Sequence, residues 1–143
     1  MTLQEFINRA RQKEEQKIKA ITLEVVDFGE VTFTRPTKDE LMEYTQVMMD
    51  MYQEANGNKN AELGVDFKID YIEMVKEASK LVYNCCPMIR EKEVREMYPK
   101  NEFIEIPELI FGANEVIRLA GELHKAFSGI QEAKKTTDDI KNS

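Results

Sequence analysis

Few side chains in this sequence could carry out chemistry. His124 is the only histidine among 143 residues, and the only cysteines, Cys85 and Cys86, are adjacent. Neighbours on a helix point about 100° apart, so such a pair seldom forms a disulfide. A metal site needs three or four converging ligands, and these three residues lack the usual spacing. We expect both cysteines to be small buried hydrophobes and His124 to be a boundary residue with a hydrogen-bonded partner.

The other chemical signals are equally sparse. Glu102, Glu105 and Glu108 form a carboxylate run, and paired carboxylates can act as general acid and base. No histidine lies near them in sequence, so we interpret the run as a solvated acidic edge on an extended chain. The glycines form no phosphate-binding loop, and nothing resembles a nucleophile elbow. The sequence therefore predicts no catalytic, cofactor-binding or metal-binding residue, and a protein that is not an enzyme.

Methionine is the exceptional residue type. The chain has 8, and Met48, Met49 and Met51 cluster on one predicted helix. Met49 lies about a third of a turn from the stripe of Met48, so the three cannot all face the core. Flexible, polarisable side chains suit adaptable binding surfaces, although core gap-filling is the open alternative. The candidate partner-binding residues are Met48, Met49, Met51, Tyr52, Phe103 and Ile104.

The elements that position these residues centre on two long helices, at about residues 70–86 and 107–128. Each carries apolar residues at the i, i+3, i+4, i+7 spacing of one buried helix face. Pro87 ends the first helix, and Pro107 suits the first turn of the second. Two such stripes so close in sequence most simply bury each other. We therefore predict that this pair forms the core. Gly121, inside the second helix, either marks a close approach of another helix or is a tolerated surface glycine.

The rest of the chain adds smaller elements. Residues 1–19 predict a helical arm, apolar at first and fully polar later. Residues 20–36 alternate as a β-hairpin with a turn at Gly29. Thr37 and Glu40 form a capping box for a helix at about 38–56, and a short helix is expected at 91–98. Residues 129–143 predict a polar, disordered tail, and residues 20–128 a single globular domain. The fold class is mainly α with a small β-hairpin (α+β), an antiparallel helical core packed with one N-terminal hairpin.

Charge narrows the possible partners. The net charge is −7 and the isoelectric point is near 4.9. Nucleic acid and anionic membrane surfaces attract Lys and Arg, so neither is an expected partner. No apolar run approaches the roughly 20 residues of a transmembrane helix. The first residues lack the apolar region of a signal peptide, so we expect a cytoplasmic protein.

Three short motifs carry a family resemblance. Residues 35–37 read RPT and lead into an acidic, tyrosine-containing helix. Residues 82–87 read VYNCCP and precede a short charged helix, and PE at 107–108 opens a helix that contains Phe111 and EV at 115–116. Together, over about residues 20–127, the chain resembles the XkdN-like tail assembly chaperones of contractile-tailed phages and Bacillus-type prophages.

The resemblance implies a non-catalytic function. Such chaperones are thought to coat the long, helical tape measure protein, keep it soluble, recruit tail tube protein subunits and then leave, so they are absent from the mature virion. A programmed frameshift in many tailed phages also yields a longer form. By this resemblance the protein acts in the bacterial host cytoplasm, with the tape measure protein and the tail tube protein as its partners.

Two questions stay open at this point. A small acidic α+β protein could also be a dedicated secretion or export chaperone, or a regulatory adaptor with one partner. Neighbouring genes would separate these functions, since a very long coiled-coil-rich reading frame downstream supports tail assembly. The lone hairpin and the half-polar arm also favour a homo-oligomer, because a two-stranded hairpin is marginal in water by itself.

Overall fold

The computed structural model describes residues 1–57 and 63–129 of the chain. Within these ranges the protein is mostly helical, with one antiparallel two-stranded hairpin near the N-terminus, which confirms the predicted fold class. The elements in chain order are α1 (Leu3–Glu15), β1 (Ala20–Val25), β2 (Gly29–Thr34), α2 (Lys38–Gly57), α3 (Leu63–Cys85), α4 (Lys92–Arg95), a 3₁₀ turn (Phe103–Glu105), α5 (Ile106–Phe111) and α6 (Ala113–Phe127).

The hairpin packs one face on the helices. Register pairs Ile21 with Phe33 and Leu23 with Val31, so the apolar side chains of both strands share one face. That face meets the core, with Phe33 fully buried. Asp27 and Gly29 have positive φ angles of 69° and 75°, a conformation that aspartate tolerates and glycine adopts at no steric cost. The predicted turn at Gly29 is confirmed.

Charged groups fasten the tip of the hairpin to α6. Glu115 accepts a hydrogen bond from the Val26 amide at 2.8 Å. Arg118 binds Glu115 at 2.6 Å and also donates to the Glu24 carbonyl at 2.8 Å. The Arg118 contact lowers the pKa of Glu115, so its carboxylate keeps its charge and holds the turn firmly. The hairpin thus lies on its own helices.

The helix α2 begins as predicted. The Glu40 amide donates to the Thr37 hydroxyl at 3.2 Å, and the Thr37 amide donates to the Glu40 carboxylate at 2.8 Å. These two bonds form a complete capping box. The Lys80 ammonium contacts Glu43 at 2.6 Å and Glu40 shares a cleft with Asn84, so α2 and α3 run antiparallel.

The core forms mainly between α3 and α6, which make the most extensive helix–helix contact of the described residues. The side chains of Val82, Leu119 and Leu123 are completely buried there. Both long apolar stripes face each other, as the spacing predicted. Burying one such side chain contributes about 1.5–3 kcal/mol, so this contact dominates the stability of the fold.

The predicted helix at 107–128 is wrong in one respect, because it is two helices. Gly112 separates α5 from α6 with φ 93° and ψ 157°, a region that essentially only glycine occupies. Apolar periodicity continues across the break, so spacing alone did not reveal it. The break redirects the chain, and the ring of Phe111 meets that of Phe28 edge to face with centroids 5.0 Å apart.

Three other boundaries also differ from prediction. The helix predicted at 70–86 begins at Leu63, seven residues earlier than predicted. The helix predicted at 91–98 is only the single turn Lys92–Arg95. Residues 103–106 are helical and not extended. The predicted tail beyond residue 129, and residues 58–62, lie outside the described residues.

The arm forms a helix over Leu3–Glu15, which is shorter than the predicted helical arm at 1–19. The Glu5 amide donates to the hydroxyl of Thr2 at 3.1 Å, which caps α1. None of the α1 residues is buried by the described part of the chain. Phe6 remains 61% exposed and Leu3 is also exposed, while Ile7 is half-buried. The apolar side of the arm is therefore largely unused within one copy of the chain.

Candidate protein-binding grooves

One groove lies beside α2 and has a volume of about 290 Å³. Met49 is 53% exposed and Tyr52 is 71% exposed, whereas Met48 is half-buried against the core. We call this surface the α2 groove; its lining residues are Tyr44, Thr45, Met48, Met49, Tyr52, Gln53 and His124. Three of the six predicted partner-binding residues therefore meet in one place.

His124 forms one wall of the α2 groove. The Thr45 hydroxyl donates to the Leu41 carbonyl at 2.9 Å. Because a hydroxyl has one proton, Nε2 of His124 must donate to Thr45 Oγ1, 3.0 Å away. Burial lowers the pKa of His124, and its ring packs 5.6 Å from that of Tyr44. The neutral ring of His124, whose Nε2 proton is donated to Thr45, is therefore held in place as a wall of the groove. The prediction that His124 has a hydrogen-bonded partner is confirmed.

The other three candidates lie elsewhere. Met51 is only 9% exposed and faces the interior, so it fills the core and does not line the α2 groove. Phe103 stacks on Tyr83 with centroids 6.3 Å apart, and the Arg95 guanidinium lies 4.8 Å from its ring centre. Ile104 lines a different groove. Spacing along α2 predicted that Met48, Met49 and Tyr52 lie together. It could not place Phe103 and Ile104 relative to α2.

A second groove, of about 270 Å³, lies between α3 and the segment that leads into α6. Its apolar part includes Ile72, which is 61% exposed, and Leu109, which is also exposed. The three glutamates of the carboxylate run stand around it. We call it the acid-rimmed groove; its lining residues are Tyr71, Ile72, Val75, Lys76, Ser79, Glu102, Ile104, Glu105, Glu108, Leu109 and Ala113.

Ser79 holds together the segments that form the acid-rimmed groove. Its buried hydroxyl donates to the Ile104 carbonyl at 2.6 Å and accepts from the Glu108 amide at 3.1 Å. Both bonds tie the 3₁₀ turn and the start of α5 to α3. The three-residue spacing of the glutamates then places them together, so the expected extended acidic edge is instead the rim of a groove.

The cysteines are buried as expected. Cys85 and Cys86 are both free and completely buried. Burial raises the pKa of the Cys85 thiol to about 12 and also raises that of Cys86. A thiol in this state behaves as a small hydrophobe, since the reactive form is the thiolate.

No group of three or more His, Cys, Asp or Glu side chains in residues 1–57 and 63–129 is arranged to hold a metal ion. None of the helices in this part of the chain combines the length and apolar character that a membrane crossing requires.

Sequence reasoning missed several exposed residues in or beside the two grooves. Met42 is exposed one heptad before Met49, so it extends the apolar face of α2 by two turns. Its position seven residues from Met49 was a usable signal. Ile72 and Leu109 gave no comparable signal, because both occur within helices whose other apolar residues are buried, and only the fold brings them together.

Comparison with known proteins found no relative of this chain. No protein-family model, no curated protein and no solved structure matches this chain significantly.

Proposed function

We propose that this protein is a non-enzymatic tail assembly chaperone of a contractile-tailed phage or a related prophage. Its client is the tape measure protein, and it helps to recruit tail tube subunits in the bacterial cytoplasm before leaving the finished tail. The motifs at residues 35–37, 82–87 and 107–116 support the family, and the α2 groove supports the mode of action.

The observation that carries the proposal is the exposed apolar face of α2. Met42, Met49 and Tyr52 lie on one side of this helix, and each is more than half exposed. Methionine and tyrosine adapt to many apolar surfaces, the former through flexibility and the latter through a broad ring with a polar tip. A client helix with an apolar stripe would lie along this face as a helix in a groove.

The surroundings of the groove suit a chaperone. The Gln46 amide donates to Asp50 at 2.8 Å, and Glu43 pairs with Lys80, so polar side chains flank the apolar face of α2. Such flanks keep a complex with an apolar client soluble. Many weakly bound copies along one long client would gain strength from multivalency.

A pull-down tests this function. The purified protein is immobilised and offered the tape measure protein, which is identified as the very long coiled-coil-rich reading frame near its gene. We expect retention at micromolar concentration. Absence of retention, or a neighbourhood of secretion components instead of such a reading frame, would contradict the proposal.

A pair of variants locates the binding site. Met49→Lys with Tyr52→Lys places two charges on the α2 face at exposed positions, so folding should persist while client affinity falls at least about tenfold. Met97→Lys is the matched control, because Met97 is equally exposed but lies outside the lining of the α2 groove. Equal retention of both variants would show that the client binds elsewhere.

A further inference from the structure

We propose that α1 of one copy of this chain docks in the acid-rimmed groove of a second copy. This exchange of arms uses none of the residues of the α2 groove, so it goes beyond the client binding proposed above. The shape and charge of the arm, the charge of the groove and the position from which the arm leaves the molecule all support this contact.

The arm contains an amphipathic helix, α1, in which three Lys and Arg are balanced by three Glu. On a helical projection, Leu3, Phe6, Ile7 and Ala10 form one stripe. Arg11 borders it on one side, and Arg9 and Lys13 border it on the other. Residues 1–19 contain five Lys and Arg against three Glu, whereas the whole chain has a net charge of −7. The arm is therefore a cationic segment on an acidic protein.

The groove has the complementary pattern. Its exposed apolar side chains, Ile72 and Leu109, lie beside Glu102, Glu105 and Glu108, and Lys76 also lines the groove. None of these three glutamates forms an ion pair with a described residue, and neither do the arginines or the lysine that border the arm stripe. Apolar contact would bury both surfaces, and the charges around them would fix the register.

The root of the arm, by which we mean Ile18 where the arm joins the rest of the chain, lies far from the groove of its own chain. Arg35 donates to the Ile18 carbonyl at 2.7 Å and to the Phe127 carbonyl at 2.8 Å, which fixes the root at the end of α6. The groove is at the start of α6, beside Ala113. The 15 residues of α6 separate the two points by about 22 Å.

That distance disfavours docking within one chain. The centre of the arm stripe, at Phe6 and Ile7, lies eight or nine residues from the end of α1 at Glu15, or about 12–14 Å along the helix. Residues 16–17 add at most about 7 Å, so the centre of the stripe could approach its own groove only with this linker fully extended. A second copy has no such restriction, and reciprocal exchange would close a two-fold dimer.

Disulfide trapping tests the contact directly in the full chain. Ala10→Cys in one preparation and Lys76→Cys in another leave Leu3, Phe6 and Ile7 of the stripe and all three glutamates unchanged. The native cysteines are buried and do not compete. On mixing and mild oxidation we expect a linked species of twice 16.7 kDa on a non-reducing gel. Leu23→Cys, at a half-buried position of β1, replaces Lys76→Cys in the control and should not link.

Light scattering of charge-reversal variants tests whether attraction between the basic residues of the arm and the glutamates of the groove holds two copies together. We expect the unmodified chain to associate, and Arg9→Glu, Arg11→Glu and Lys13→Glu together to weaken association at least about tenfold. Combining them with Glu102→Lys, Glu105→Lys and Glu108→Lys should restore it. Lys38→Glu, an exposed reversal outside the arm, is the control and should associate normally.

Three results would overturn the proposal. One is a monomeric chain at tens of micromolar protein and low salt. Another is a chain carrying both cysteines that links within itself without a change in mass. The last is association that persists after charge reversal of the arm. Because Met49 and Tyr52 are untouched in every variant, client retention in the pull-down separates failure of this contact from failure of the proposed function.

Discussion

The α2 groove and the acid-rimmed groove are close in volume, about 290 and 270 Å³, yet they differ in chemistry. The lining of the α2 groove contains methionine, tyrosine and one neutral histidine, with no carboxylate among the described residues. The other groove combines branched aliphatic side chains with three glutamates.

This difference separates two kinds of partner. Flexible, uncharged side chains accept many apolar helices at little cost, which suits a long client with varied sequence. A carboxylate rim rejects most acidic partners and selects a basic one, because like charges brought together cost free energy. The comparison therefore assigns the α2 groove to the client and the acid-rimmed groove to the arm. Four predictions break or sharpen this assignment.

Truncating the shared core should destroy both grooves together. Leu123 is completely buried between α6 and its neighbours, so Leu123→Ala should lower the free energy of unfolding by about 2–5 kcal/mol. Urea unfolding followed by circular dichroism measures this. Met88→Ala, at a well exposed position, should change it by less than about 0.5 kcal/mol. Equal effects of the two variants would refute the core described here.

Removing one hydroxyl should disturb only the acid-rimmed groove. Ser79→Ala leaves the buried Ile104 carbonyl and the Glu108 amide without their partner, which should cost about 1–3 kcal/mol. Arm docking should weaken with it, while client retention by the α2 groove should stay unchanged. Ser128→Ala, at an exposed position, is the matched control for unfolding. Loss of client retention in Ser79→Ala would mean that the two grooves are coupled.

Two glycines of the last helical region should respond in opposite directions. Gly112→Ala forces a side chain into a positive φ and should destabilise by about 1 kcal/mol or more. Gly121 lies in α6, and a Cβ added there meets no described atom within 4 Å. Gly121→Ala should stabilise by about 0.5–1 kcal/mol. Thermal unfolding of both variants checks the sign, and two changes of the same sign would contradict the break at residue 112.

Acid should loosen the α2 groove through His124. Its pKa is below 6.5 in the folded protein, so the unfolded chain takes up the proton first as the pH falls. The stabilising contribution is complete above about pH 6.5 and is lost below it. Because this is the only histidine, His124→Gln should remove the slope of unfolding free energy between about pH 7.5 and about pH 5.5. If the variant kept this slope of unfolding free energy with pH, a group other than His124 would be responsible for it.

Much of the fold followed from local patterns. The capping box at Thr37 and Glu40, the alternating strands and the paired stripes of α3 and α6 all correspond to their sequence signals. The break at Gly112 did not, because a glycine inside an apolar period is ambiguous until its φ angle is known. The suggestion that Gly121 marks a close helix approach is not supported, since no described neighbour lies near its added Cβ.

The candidate sites were only partly predictable. Met48, Met49 and Tyr52 lie within one helical turn and a half, so sequence spacing placed them together. Ile72 and Leu109 are 37 positions apart in sequence, and only tertiary packing makes them neighbours. The carboxylate run was visible from the start, but its position beside an apolar groove depended on the Ser79 hydrogen bonds.

Amide hydrogen exchange of the protein with and without the tape measure protein tests the assignment of the client to α2 most directly. We expect client-dependent protection across residues 42–53 of α2, and no change across residues 103–109 of the acid-rimmed groove. Protection confined to residues 103–109, with α2 unchanged, would contradict the account.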